Sequence, residues 1–408
     1  MYNSINLPFE YMKAITFVEK FIKSVASQCK LRNLFNISTL LKIAFMYSIT
    51  IIVLILTYFD YSPNVISDNK AKIAIYSSRG RIGEHQTYLK MIRLFKKLGI
   101  GYIGCSYNES LSDYFLTRHF YISANYIMHQ IIKPQFSISL THHVKIVPPG
   151  ISLVYLNVPD LMLFGKSGKF SSPMRHLKNY TGYIDLYSFV HGNNPDLQEV
   201  LEKEGRSNAP IFPAFLAQDS QEVGYPSAYR HAVVTGTLWG CNRSSYRLIS
   251  ALKRLAANGD LKAYGMGYAY DFLGSSYMGS LEKYGKPESS VLQIQNEGGI
   301  SIIFHNFEHM VQSLPTSRFA ESIVAKAVLI SDHNPFLKKY FGDNILYFDS
   351  FASSAEIHNQ LKQHIDWIKN NPEKARDMSE KAYEIFTNKL ALEVQLPQLL
   401  TMVEKYLK

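Results

Sequence analysis

Gly299 to Asp332 reads GISIIFHNFEHMVQSLPTSRFAESIVAKAVLISD, and the order of its apolar runs points to a parallel α/β sheet. A β-branched run predicts a strand over Ile300–His305, and a helical pattern follows over Ser317–Ala327. A second run, Val328–Ser331, then predicts another strand. Strand, helix, strand without a hairpin turn is the crossover unit of such a sheet. Pro315, Thr316 and Ser317 open the helix, with Thr316 or Ser317 as the expected N-cap. Unpaired amides and the positive helix end would then face the ligand side of the sheet and suit a diphosphate. Arg318 can add a charge-assisted fork, and Glu321, one turn in, can accept from two vicinal hydroxyls of a ribose.

The same rhythm extends in both directions. Downstream, Ile345–Phe348 predicts a strand, followed by helices over Ala355–Lys369, Pro372–Lys389 and Leu392–Leu407. Upstream, strands are expected at Ala232–Gly236 and Leu261–Tyr264, with helices at Ser245–Ala257 and Glu288–Gln295. Asn208 to Ser227 holds Pro210, Pro213 and Pro226 with little periodicity, and we place a domain boundary there. A second α/β unit precedes it, with strands at Lys72–Tyr76, Gly101–Gly104, Val144–Val147 and Ser152–Leu156 and a helix over Glu84–Leu98.

Ile43 to Phe59, IAFMYSITIIVLILTYF, has no charge over seventeen residues, at the lower edge of the roughly 17 to 25 that span a bilayer. Six basic residues precede it, from Lys13 to Lys42, against Glu10 and Glu19. Such a lead-in suits an anionic leaflet. We therefore expect a basic amphipathic segment at 1–42, a transmembrane or interfacial helix at 43–59 and a linker at 60–70. An acceptor domain over 71–225, a donor domain over 226–390 and a closing helix over 391–408 that packs back on the first domain complete the chain. The positive-inside rule would put everything after Asp60 across the membrane.

The run SRFAESIVAKAVLISDHNPFLKKYFGDNILYFD resembles the donor-binding half of GT-B glycosyltransferases, particularly bacterial group-1 and CgeB/YkvP-like enzymes. Its matching positions are Arg318, Phe319, Glu321, Ser331, Asp332, Phe341, Gly342 and Asp343. The resemblance covers roughly Ala232 to Leu400. It implies two Rossmann-like domains facing a cleft, a nucleotide diphosphate sugar as donor and a glycan or lipid-linked acceptor at a membrane. The bacterial character of the family implies the cytoplasmic face. It carries the ribose-holding role onto Glu321. Two positions depart from the pattern: Ser313 stands where many members have a second glutamate, and Lys326-Ala327 replace the usual glycine. A non-catalytic, membrane-tethered glycan- or partner-binding protein is the alternative reading.

The expected donor-binding residues are Gly236, Arg243, Gly279, His305, Thr316, Ser317, Arg318 and Glu321. Gly236 and Arg243 come from the Gly-rich turn TGTLWGCNR, and Gly279 ends a short strand. On the acceptor side His85 is the first choice for a general base, with Asp185 and then His191 behind it. His142-His143, His305 and His309 lack the spacing of an HExxH site, and no metal or other cofactor is expected. Lys plus Arg exceed Asp plus Glu, 43 against 33. The basic residues form no tracts, so nucleic acid is not an expected partner. No GxxxxGK[ST] or GxGxxG occurs, which disfavours P-loop and ordinary dinucleotide sites. Cys29, Cys105 and Cys241 are too few and scattered for a disulfide framework or a thiolate zinc site.

Overall fold

The computed structural model describes residues 72–78, 82–107, 133–140, 147, 150–156, 177–221, 223–236, 245–265, 270–281 and 287–408. The expected segments at 1–42, 43–59 and 60–70 lie outside these residues, as does most of the strand expected at Val144–Val147. No helix among the described residues is long and apolar enough to cross a membrane.

In the first half, β1 (Ile73–Ser78), α1 (Ile82–Leu98) and β2 (Tyr102–Tyr107) are followed by β3 (Phe136–Ser139), β4 (Ser152–Leu156) and β5 (Gly182–Asp185). Then come α2 (Leu186–His191), α3 (Pro195–Lys203) and β6 (Ile211–Pro213). All six strands are parallel, in the order β2-β1-β3-β4-β5-β6. Strands β3, β4 and β5 are buried on both faces, and β4, SLVYL, accordingly reads as a short apolar run rather than as alternation. One face is covered by α1, whose Tyr88, Met91, Ile92 and Phe95 pack on Ile73 and Ile75. Strand β6 falls inside the stretch read as irregular. Three residues ending in Pro213 give no period to read, and an edge strand tolerates the proline.

The second half runs β7 (His231–Gly236), α4 (Tyr246–Ala257), β8 (Leu261–Gly265), β9 (Tyr277–Gly279), α5 (Pro287–Gly298), β10 (Gly299–Ile303), α6 (Phe307–Val311), α7 (Arg318–Val324) and β11 (Val328–Asp332). It continues with α8 (Pro335–Phe341), β12 (Leu346–Phe348), α9 (Ser354–Asn370), α10 (Pro372–Lys389) and α11 (Leu392–Leu407). The strand order is β12-β11-β10-β7-β8-β9, again all parallel. From β7 the chain runs outward through β8 and β9 and then crosses back to β10 on the other side of β7, so the order reverses between β7 and β10. Ligands of open α/β sheets lie outside the carboxyl ends of the strands at such a point.

Both sheets belong to one compact unit, Pro63–Lys408. The halves share an apolar cluster in which Leu186, Phe215 and Ala217 meet Leu314, Phe319, Ile323 and Phe386. The Phe215 and Phe319 rings stack at 5.7 Å. Helix α11 returns to the first sheet, with Leu392, Leu396, Leu399 and Val403 in its core beside Phe212.

Candidate functional site

Two glycines shape the carboxyl edge of the second sheet, one at its switch point and one on the neighbouring strand. Gly236 ends β7 at φ 104°, and a Cβ placed there would come within 3.1 Å of Arg318 Nε. Gly265 ends β8 at φ 157°, where a Cβ would lie 2.1 Å from the Gly236 carbonyl oxygen. Only hydrogen at both positions lets the two strand ends and the Arg318 guanidinium share this space. Gly279, at φ 103°, ends β9, two strands away from β7.

Arg318 and Glu321 form the site's charged pair. Arg318 Nη1 donates to Glu321 Oε2 at 2.6 Å, with the carboxylate buried and the guanidinium about a quarter exposed. The Glu321 charge raises the Arg318 pKa further above its usual value, and burial opposes it. The i,i+3 spacing on one helix face produces the pair. Of the five N–H donors of a guanidinium, this described bond uses one, so the fork remains capable of meeting an anion.

The mouth of α7 differs from expectation. Ser317 is the residue before the helix, but its own backbone is helical (φ −57°, ψ −20°) and its side chain makes no capping bond. The reason is a tight first turn, in which the amides of Phe319, Ala320 and Glu321 turn back on the Thr316 and Ser317 carbonyls. The amides ahead of them at the mouth are those of Ser317 and Arg318. With seven residues the helix offers a small dipole, so the Arg318 side chain carries more of the electrostatic burden than the helix end does.

His305 and Asp332 are both fully buried at the ends of the adjacent strands β10 and β11. Asp332 Oδ1 lies 2.6 Å from His305 Nδ1, and Asp332 Oδ2 accepts the His305 amide at 2.7 Å. Two bonds from one carboxylate fix both the backbone and the ring of His305. The His309 ring sits beside it, centroids 6.1 Å apart. The sequence marks Asp332 only as the end of a Ser-Asp strand. Its function as the orienting partner depends on the strand order, which the sequence does not display.

On the first sheet, His85 lies in the opening turn of α1, half-buried and stacked on Tyr88 at 5.5 Å. Asp185 caps α2. Its Oδ1 accepts from the Tyr187 amide at 3.3 Å, and Oδ2 accepts from the Ser188 amide, Ser188 Oγ and Asn194 Nδ2 at 3.0, 2.6 and 2.9 Å. These four bonds engage a carboxylate with about four acceptor positions, leaving little of it for a substrate proton. Burial raises its pKa, and the Ser188 and Asn194 bonds oppose the rise. His85 follows β1 and Asp185 ends β5, three strand spacings apart in the sheet, or about 14 Å. The two do not form a pair.

The third candidate base, His191, reaches the other half of the molecule. Its Nε2 donates to the Gln312 carbonyl at 2.8 Å. Gln312 precedes Ser313, which stands at φ 53°. Ser313 is thus the left-handed residue that ends α6, with its amide on the Met310 carbonyl and that of Leu314 on the His309 carbonyl. Lys326 is a second case: at φ 55° it ends α7, with the amides of Lys326 and Ala327 on the Ile323 and Ser322 carbonyls. Lysine thus occupies a left-handed conformation that favours glycine.

Arg243 and His142-His143 lie outside the described residues. Among the described residues no group of three or more metal-ligating side chains assembles.

No family model matches the chain, and no curated protein does. Among solved structures, Anabaena HepE in complex with UDP and glucose is similar over 82% of this chain and 99% of its own, at 11% identity and a TM-score of 0.50. The fold is GT-B. At that identity the likeness establishes the GT-B fold alone, two Rossmann-like domains side by side. WaaG, a glycosyltransferase involved in lipopolysaccharide biosynthesis, is similar over 79% of this chain and 97% of its own, at 9% identity and a TM-score of 0.48. TarM is similar over 69% of this chain at 12% identity and a TM-score of 0.46, and the chain spans 58% of TarM's length.

Proposed function

We propose that the protein is a glycosyltransferase, of the CgeB/YkvP-like kind, that moves a hexosyl group from a nucleoside diphosphate sugar to a glycan or lipid-linked acceptor. The observation that carries this reading is the Arg318–Glu321 pair, set against Gly236 at the switch point of a GT-B fold. Glu321 accepts the ribose hydroxyls, and Arg318 meets the diphosphate as negative charge builds on it during departure. Gly236 lets the phosphates approach the backbone. His305, held by Asp332, borders the same edge, with Thr316 and Ser317 at the mouth of α7. Arginine and backbone dipoles stabilise the leaving group, so the reaction needs no metal.

The first domain, 71–225, supplies the acceptor side. Asp185 serves there as a cap, which leaves His85 and His191 as the candidate bases. The apolar segment 43–59, short enough to stay in the interface, and its basic lead-in hold the enzyme at a membrane without carrying the chain after Asp60 across it, so that catalysis is at the cytoplasmic face. A second reading, a non-catalytic GT-B-like glycan- or partner-binding protein, is favoured by Ser313 in place of the family's glutamate.

A thermal-shift panel of UDP, GDP, ADP and dTDP tests the donor site, since a ligand specific for the native form raises its melting temperature. Glu321→Ala should weaken binding of the responding nucleotide by about 30-fold or more, the loss expected when charge-assisted hydrogen bonds of ~2 kcal/mol or more are removed. Unchanged affinity in a folded variant would falsify the assignment of Glu321. Turnover of the matching nucleotide sugar separates the two readings, because nucleotide binding without turnover supports the second.

A further inference from the structure

Asn334, buried at the start of α8, contacts neither Arg318 nor Glu321 by any described bond, yet it governs the segment that leads to them. Its Oδ1 caps α8 by accepting the amides of Phe336 and Leu337, at 2.9 and 3.3 Å. Its Nδ2 performs a second task, donating to the Leu314 carbonyl at 2.9 Å. Leu314 is held from the other side as well, because its amide bonds the His309 carbonyl at 2.9 Å. Pro315 follows with a fixed φ, so the direction of the Leu314 peptide sets where Thr316, Ser317 and Arg318 begin.

We infer that Asn334 is a positioning residue for the Arg318–Glu321 site, acting through Leu314 as the second of two clamps. The first clamp is Asp332, two residues earlier, which holds His305 by amide and ring. The Asn334 amide bonds the Asp332 carbonyl at 2.7 Å, so the clamps are rigidly spaced. Between them the segment 305–314 is fixed at both ends by side chains from the end of one buried strand. Charge-assisted hydrogen bonds weaken steeply as distance and angle depart from their preferred values, so a displaced Arg318–Glu321 pair meets its ligand less well. The link to nucleotide affinity rests on the function proposed above; the clamp itself does not.

Asn334→Ser separates the two tasks, because serine caps a helix but has no donor that reaches Leu314. Ser353→Ala is the control, since it removes a comparable cap from α9, whose capping box lies elsewhere in the domain. In the full chain, Asn334→Ser should speed hydrogen exchange of the amides in 306–318 by about 10-fold or more through local opening. It should also raise the Kd of the responding nucleoside diphosphate, and the donor KM more than it lowers kcat, by about 10-fold. Ser353→Ala should leave both within about 2-fold despite its stability loss. Wild-type exchange and Kd in Asn334→Ser would overturn the inference. Faster exchange in a protein that binds no nucleoside diphosphate would uphold the clamp and overturn the functional reading instead. Should the serine variant not fold, Asn334→Asp, which keeps the volume and the cap and places an acceptor against the Leu314 carbonyl, gives the same comparison.

Discussion

Lys326 is caught between a backbone cost and a side-chain gain, and the balance can be measured. Its φ of 55° costs a non-glycine residue about 1 kcal/mol or slightly more. Against this, its ammonium lies 4.3 Å from the Tyr225 ring centroid and 4.9 Å from that of Tyr383. Two half-exposed cation–π contacts give about 1–2 kcal/mol together. Lys326→Gly relieves the backbone and loses the contacts, so its stability should stay within about 0.5 kcal/mol of wild type. Lys326→Ala loses the contacts and keeps the strain, and should fall about 1–2 kcal/mol below wild type. Urea denaturation of the three proteins reads both differences at once. An alanine variant as stable as the glycine variant would refute the reasoning, because it would remove the left-handed cost from which the ledger starts. The outcome bears on the site, since α7, which Lys326 terminates, carries Arg318 and Glu321.

Other expectations are equally direct. In Gly265→Ala the new Cβ meets the Gly236 carbonyl at 2.1 Å in a strained conformation, so β7 and β8 must separate, at a cost of about 2–3 kcal/mol; a wild-type melting temperature would contradict this packing. Burial first, then Lys262, Lys369 and Arg230, lower the His231 pKa to about 4. Because that value lies below the unfolded one, the unfolded state binds the extra proton. The contribution is therefore whole above about pH 6.5 and is lost as pH falls from there towards 4. It amounts to about 1–2 kcal/mol after allowance for partial exposure, and His231→Gln should flatten the acid limb of the stability profile. Asp185→Asn keeps an acceptor for the three bonds now made to Oδ2, so turnover should remain within about 3-fold. Loss of a general base would instead cost about 100-fold or more.

The second sheet was legible because β7, β10 and β11 are runs rich in Val and Ile, and because helices as long as α10 and α11 show many turns of one period. The bounds expected for Pro372–Lys389 and Leu392–Leu407 coincide with those observed. Some short elements escaped: α6 and α8, of five and seven residues, carry too few positions to display a 3.6 period, whereas α7, equally short, was marked by its Pro315-Thr316-Ser317 opening. Strand β3, FSIS, is four residues with two buried serines and looks like a loop. At the site, the residue types of Arg318 and Glu321 are legible in the sequence, whereas their mutual bond emerges only with the fold. The N-cap expected at Thr316 or Ser317 falls on Ser317, but without a side-chain bond, because the tightness of a first turn depends on how the preceding Leu314-Pro315 is held. That hold comes from Asn334, twenty residues away.

Two buried carboxylates, Asp185 at the end of β5 and Glu321 in the first turn of α7, illustrate what composition and spacing leave open. Asp185 accepts from two backbone amides, a hydroxyl and a carboxamide, all within nine residues of itself. Three of the donors belong to the first turn of α2 that Asp185 caps, and the fourth, Asn194, caps α3, so removing them from the carboxylate loosens both helix starts. Glu321 has one described partner, the Arg318 guanidinium, which is partly exposed and at the end of a flexible side chain. Such a partner can rotate towards an incoming anion while the helix stays intact. The pair then need not be broken at the full cost of a buried charge, because an anion on Arg318 and hydroxyl donors on Glu321 replace the bond they displace. Exchangeability of the partner, more than burial or residue type, is what separates a carboxylate placed to bind from one placed to fold the chain.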